Sequence, residues 1–249
     1  MTSNHPFDPG LEELPSTLPI FPLSGVLLLP GGRLPLNIFE PRYLNMIRDA
    51  MAGSRLIGMV QPAVDDAQQA PDFGDFEVEG AEESGLDQPA ERFDQGAAPV
   101  YRTGCAGRIV SFSETDDGRY LVTLKGLIRF RIQQEMSVLD GYRRVRPDYG
   151  PFHADLEHCA ATFDRDRMLE ALTYYFQQQG IEADWEAIRE ASNERLVTSL
   201  AMVCPFSSAE KQALLEASSP SDRAETMTTI LEMAVLDTPD AQGRAAQRH

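Results

Sequence analysis

Between residues 18 and 62 the apolar positions fall into short blocks separated by proline and glycine, a spacing that predicts several strands around one helix. Extended structure is expected over Leu18-Pro-Ile-Phe-Pro-Leu23 and in a second apolar run, Val26 to Leu29, before a turn at Pro30-Gly31-Gly32. Leu34, Leu36 and Ile38 alternate with Pro35 and Asn37; proline has no N–H to give to a central ladder, so this is a short or edge strand. Pro41 suits the first turn of a helix that carries Tyr43, Leu44, Ile47 and Met51 at helical spacing and stops at Gly53. Arg55 to Val60 returns to strand.

The period changes to two in the middle of the chain. Arg102 to Phe112 and Arg119 to Leu124 are apolar-rich runs joined by Thr115-Asp-Asp-Gly118, whose Asp-Gly step favours a tight hairpin. In Leu127-Ile-Arg-Phe-Arg-Ile132 apolar and basic residues alternate, which predicts one buried face and one face carrying Arg129 and Arg131. Tyr142 to Arg146 closes the set, and repeated antiparallel strands at this spacing predict a barrel or curled sheet.

Past Gly150 the stripes become helical. Met168, Leu169, Leu172, Tyr175 and Phe176 form one that ends at Gly180; Trp185, Ile188, Leu196, Leu200 and Val203 form a second that stops before Pro205. Ser207-Ser-Ala-Glu210 is a capping box ahead of Leu214 and Leu215, and Ser219-Pro220 opens a fourth helix with Met227, Ile230, Leu231 and Leu236. The expected organisation is a flexible N-terminus (1–17), a β subdomain (18–148), a helical bundle (149–237) and a disordered tail (238–249).

Charge adds one feature. Residues 63–99 hold eleven acids and a single base, Arg92, without apolar periodicity, and read as a solvated acidic insert in the β subdomain. The whole chain carries −17, the wrong sign for gripping phosphates by counterion release, so nucleic acid is not an expected partner. The longest apolar runs fall far short of the roughly 20 residues of a membrane helix. The opening MTSNHPFDPG lacks the basic start and apolar stretch of a secretory signal, so a cytoplasmic setting is expected.

Candidate chemistry is sparse. Cys105, Cys159 and Cys204 form no CxxC pair, and His153, His158 and Cys159 lack the further ligands of a metal site, so no metal or other cofactor is expected. No glycine-rich loop precedes either lysine, Lys125 or Lys211, as a phosphate cradle would require. A Ser-Lys peptidase needs a desolvated lysine beside a serine, whereas Lys211 is expected on a solvated helix face and Lys125 at a strand end. The expectation is a protein that is not an enzyme.

The stretch LPIFPLSGVLLLPGGRLPLNIFEPRYLNMIRDAM resembles the N-terminal, substrate-binding domain of the Lon protease family. Further matches fall at Gly104-Cys-Ala-Gly-Arg-Ile109, Asp117-Gly-Arg119, Lys125-Gly-Leu-Ile-Arg-Phe-Arg-Ile132 and Ala209-Glu-Lys-Gln-Ala-Leu-Leu-Glu216, so the resemblance covers about residues 18 to 236. It implies an α+β fold in which a PUA-like curled β-barrel subdomain is followed by a C-terminal helical bundle. The ATPase and peptidase modules of a full Lon protease do not follow in this sequence, and the chain resembles the stand-alone form. The function so implied is non-catalytic binding of exposed or partly unfolded polypeptide, with Phe39, Tyr43, Phe130 and Trp185 as candidate contacts at the junction of barrel and bundle. An adaptor or regulator engaging one folded partner, such as an AAA+ protease, is the first alternative, and a self-contained peptidase the second. Glu40, at the start of the first helix, is expected to pair with a sheet arginine, Arg108 or Arg129, and with Tyr43 to fix how helix and barrel meet.

Overall fold

The computed structural model describes residues 8–63, 98–157 and 160–236. Six strands come first: β1 (Leu18–Pro22), β2 (Arg33–Ile38), β3 (Leu56–Val60), β4 (Thr103–Glu114), β5 (Tyr120–Leu139) and β6 (Tyr142–Asp148), with helix α1 (Pro41–Ala52) between β2 and β3. They form one sheet in the order β2-β5-β4-β3-β1-β6, and β5 also pairs with β6, so five strands close into a barrel. Only β1 and β3 run parallel. Closure depends on the 20 residues of β5: its first half lies between β2 and β4, and its second half, bent at register shifts after Ile132 and Met136, reaches β6.

Phe130 fills the barrel. It is fully buried among Leu18, Ile20, Leu56, Val60, Ile128 and Val145, and Tyr149, Phe152 and Leu156 pack over this interior from the 3-10 segment that follows β6. Two glycines make its room: a Cβ on Gly58 or on Gly104 would sit 2.7 Å from the Phe130 Cζ. A second core lies outside the barrel wall, where α1 and the helices pack on Ile57, Met59, Cys105 and Ile109.

The run Val26 to Leu29 is not a strand. Leu27, Leu28 and Leu29 are nevertheless almost completely buried, and the Pro30–Gly32 turn beyond them is bonded to β5 in both directions: Gly31 N–H donates to Gly126 O (3.0 Å) and Gly126 N–H to Gly32 O (2.9 Å). The leucines are therefore inserted between barrel and bundle with their backbone supported by a turn. From Asp8 onward the N-terminal segment, expected to be free, is also held: the Asp8 carboxylate meets Arg108 at 2.9 Å and Lys125 at 2.5 Å, and Leu14 packs on the barrel core. Arg108 and Lys125 are cross-strand neighbours, so this carboxylate relieves a like-charge pair.

The bundle comprises α2 (Arg165–Gln179), α3 (Trp185–Glu190), α4 (Asn193–Val203), α5 (Ser208–Glu216) and α6 (Pro220–Leu236). The stripe on α2 buries Met168, Leu172, Tyr175 and Phe176, and the helix ends at Gly180 with φ of 64°. The expected second helix is two. Its stripe runs through Ala191 and Ser192, which are extended, and Ser192 restarts the chain as the N-cap of α4. Val203, read as the last core position of that stripe, is 79% exposed. The capping box at Ser207 is formed, with the Glu210 carboxylate accepting from Ser207 N–H at 2.7 Å and Ser207 Oγ accepting from Glu210 N–H at 3.3 Å. Replacing Ser207 by alanine is expected to cost about 1 kcal/mol, measured by urea unfolding.

The expected insert falls outside the described residues from 64 to 97, as do the tail from 237 and the pair His158 and Cys159. Its two attachment points are described: Pro62 bridges Val100, Ala63 N–H donates to Pro99 O at 2.8 Å, and Tyr101 N–H to Gln61 O at 2.9 Å. Among the described residues no helix is long and apolar enough to cross a membrane, and no cluster of three or more His, Cys, Asp or Glu could hold a metal.

Candidate functional site

The four aromatic residues expected at the junction do not converge. Phe130 is sealed inside the barrel, where it touches no partner without unfolding. Tyr43 points inward from α1, its ring 4.2 Å from that of Phe21 and under the Arg42 guanidinium. Trp185 is half-buried in the bundle against Phe176, ring centres 5.9 Å apart. Phe39 alone is an open surface, 63% exposed between β2 and α1.

Phe39 has neighbours that the sequence reading missed. In the β2–β5 register Leu36 stands opposite Val122 and Ile38 opposite Tyr120, all buried, while Asn37 stands opposite Leu121 on the outward face. Leu121 is 46% exposed there, and Phe39, two residues beyond Asn37, continues the same outward phase. Phe112, opposite Val122 across β4, is exposed on the other face with its ring against Tyr120 at 4.9 Å. This end of the three strands thus presents apolar groups to solvent. Among the described residues strand β2 pairs on one side only, with β5, so no described strand covers its other backbone edge, where Pro35 has no N–H to offer. The signal was readable: in Tyr120-Leu-Val-Thr-Leu124 a leucine occupies the phase that threonine holds two residues later.

The expected Glu40 pair with a sheet arginine is corrected by the structure. Glu40 takes the guanidinium of Arg42, two residues on, at 2.8 Å in an exposed contact that adds little stability. Arg108 is engaged by Asp8, and Arg129 by Asp155. Nor does Arg129 share an open face with Arg131: it is 4% exposed, because the 3-10 segment Gly150–Leu156 and the end of α5 both cover that side of β5. Its Nε and Nη2 grip Asp155 at 2.9 and 2.8 Å, its Nη1 donates to Leu215 O and Ala217 O at 3.0 and 2.5 Å, and its guanidinium lies over the Phe152 ring. One side chain therefore ties barrel, connector and bundle together.

The seam it belongs to is polar. Among the described residues, six of the seven buried polar side chains line it: Gln61, Thr103, Arg129, Lys211, Gln212 and Arg223. Gln212 Nε2 donates to Thr103 O at 3.2 Å, and Gln61 Nε2 to Ser208 O at 3.2 Å. Lys211, expected on a solvated face, is buried, and its Nζ donates to Gly25 O at 2.6 Å. Burial holds its ammonium below the usual lysine range. The thiol near it, Cys204, is pushed up to about 12 by burial, the reverse of what a nucleophile requires. Lys211 thus acts as a tether between α5 and the loop after β1.

The profile of the ATP-dependent protease La (LON) substrate-binding domain matches residues 17–233. The chain belongs to this family. Lon protease 2 of Myxococcus xanthus is 31% identical over 127 residues, 50% of this chain and 12% of that protein. Lon protease of Parabacteroides distasonis is 27% identical over 232 residues, 90% of this chain and 25% of that protein. The chain therefore spans a quarter or less of the length of these Lon proteases. Among solved structures, the Lon N-terminal domain protein from Xanthomonas campestris superposes with a TM-score of 0.55 at 21% identity, covering 86% of this chain and 97% of that one. That likeness is one of fold, and it bears out the α+β architecture of barrel followed by helices.

Proposed function

We propose that this Lon substrate-binding domain is a non-catalytic module that binds exposed or partly unfolded polypeptide at the open end of β2, β5 and β4. The observation that carries the reading is the match of a substrate-binding domain across residues 17–233. The surface supports it: the β2 edge, unpaired among the described residues, can accept main-chain hydrogen bonds from an extended segment, and Phe39 and Leu121 beside it offer apolar contact. Junction aromatics other than Phe39 act as core.

Fluorescence anisotropy of labelled, chemically denatured model proteins tests this directly. Saturable binding across a panel is expected, and Phe39→Asp or Leu121→Asp is expected to weaken it about tenfold, since one anchoring apolar contact is worth about 1–2 kcal/mol. Neither change touches the core, so the variants keep the parent unfolding curve. No saturable binding across the panel would rule the reading out. Salt-sensitive capture of one folded protein, lost on removal of residues 64–97, would point instead to an adaptor.

A further inference from the structure

Gly126 N–H donates to Gly32 O, one step before the register pair Arg33–Lys125, and bonded pairs alternate along an antiparallel ladder. Leu34, Leu36 and Ile38 therefore turn their backbone groups to β5, whereas Arg33, Pro35 and Asn37 turn theirs to the edge that no described strand covers. Pro35 agrees with this phase, since its missing N–H falls where no ladder bond is lost. Side chains at the same three positions are exposed, on the outward face that Phe39 continues. Charge is uneven along that face. Arg33 stands opposite Lys125, and Lys125 opposite Arg108, so three cations form one cross-strand row. Asp8 answers Lys125 and Arg108; Arg33, at the edge, has no ion pair among the described residues. One end of β2 is thus cationic and the other apolar, because Glu40 and Arg42 beside Phe39 pair with each other. The chain's net charge of −17 does not cancel the row, since exposed charges beyond about 8 Å are largely screened at physiological salt.

We propose that the polypeptide segment added to β2 carries an Asp or Glu and a large apolar residue six positions apart, the carboxylate at Arg33 and the apolar side chain on Phe39; this rests on the polypeptide-binding reading above. The spacing follows from the two positions on β2, and it must be even, because successive side chains of an extended segment face opposite ways. Opposite charges set across a strand pair attract and like charges repel, so a lysine in place of the acid is disfavoured by the Arg33 end of the row.

Labelled peptides of about ten residues, built of threonine and serine to favour extended structure, carry one phenylalanine and, six positions from it, aspartate, lysine or serine. They are titrated by anisotropy, in both chain directions, against the full chain and against Arg33→Glu. In the better-bound direction the aspartate peptide is expected to bind the parent about tenfold more tightly than the lysine peptide, with serine between them. In Arg33→Glu the order is expected to reverse, and an aspartate five positions from the phenylalanine is expected to lose the preference in the parent. Arg33 is exposed, so the variant is expected to melt with the parent, and the comparison of peptides on the parent decides without it. Equal affinity of the three peptides, an unchanged order in Arg33→Glu, or no peptide binding while denatured proteins bind would each overturn this inference and leave the polypeptide-binding reading standing. Failure of the denatured proteins as well would overturn both.

Discussion

Arg129→Met is expected to lower the unfolding free energy by about 3–5 kcal/mol, because it leaves the Asp155 carboxylate buried without its guanidinium. The change also orphans the carbonyls of Leu215 and Ala217 at the end of α5, so the loss falls on the attachment of the bundle as well as on the barrel. At about 2–4 °C per kcal/mol for a chain of this size, melting is expected to drop on the order of 10 °C. Shape alone is not the cause, and a double substitution shows it: Arg129→Met with Asp155→Leu is expected to regain a large part of the loss, since the stranded charge is gone. A single-variant loss below about 1 kcal/mol would mean that Arg129 is not the tie between the two halves.

The second large effect is expected at Gly126. Here β5 passes so close to the preceding loop that a Cβ would lie 2.0 Å from Leu29 O and 2.7 Å from its carbonyl carbon. Backbone atoms cannot swing aside as a side-chain tip can. The same residue exchanges hydrogen bonds with Gly31 and Gly32, so displacing it breaks the seat of the Pro30–Gly32 turn and lifts Leu27 to Leu29 from the core. Gly126→Ala is expected to cost about 3 kcal/mol or more by denaturant unfolding. Gly53→Ala serves as its control: the new carbon would meet the nearest backbone atom at 3.4 Å, and a change under about 1 kcal/mol is expected. Equal behaviour of the two variants would sink the close-approach explanation.

What the residues announced in advance was local. Pro41 at a helix start, Gly53 and Gly180 at helix ends, the Asp-Gly hairpin and the Ser207 capping box are each decided within four residues, and each stands where the spacing put it. Period-two runs announced a barrel or curled sheet, but neither its strand order nor that the runs Arg119 to Leu124 and Leu127 to Ile132 are one strand, β5, whose 20 residues close it. Errors arose where a partner distant in sequence decides the environment. Arg129 has the alternation of an outward residue, but α5, some 85 positions later, covers it; Lys211 looks solvated until the loop at Gly25 is laid against it. The stripe from Trp185 to Val203 misled for a different reason, since apolar periodicity can continue in register across a break, and Ser192 was the overlooked cue. The surface end at Phe39 and Leu121 is half visible in the sequence: the aromatic stands out by its type, while the leucine needs the register of β2 on β5.

The bridge between Pro62 and Val100 brings chain positions 38 apart to neighbouring places, with Ala63 and Pro99 bonded just beyond it. Because loop-closure entropy grows only slowly with length, the cost of closing such a gateway is expected to depend little on how many residues lie between its two sides. Exchange of positions 64–97 for a short turn is therefore expected to leave the six strands assembled, with the urea unfolding curve as the measurement.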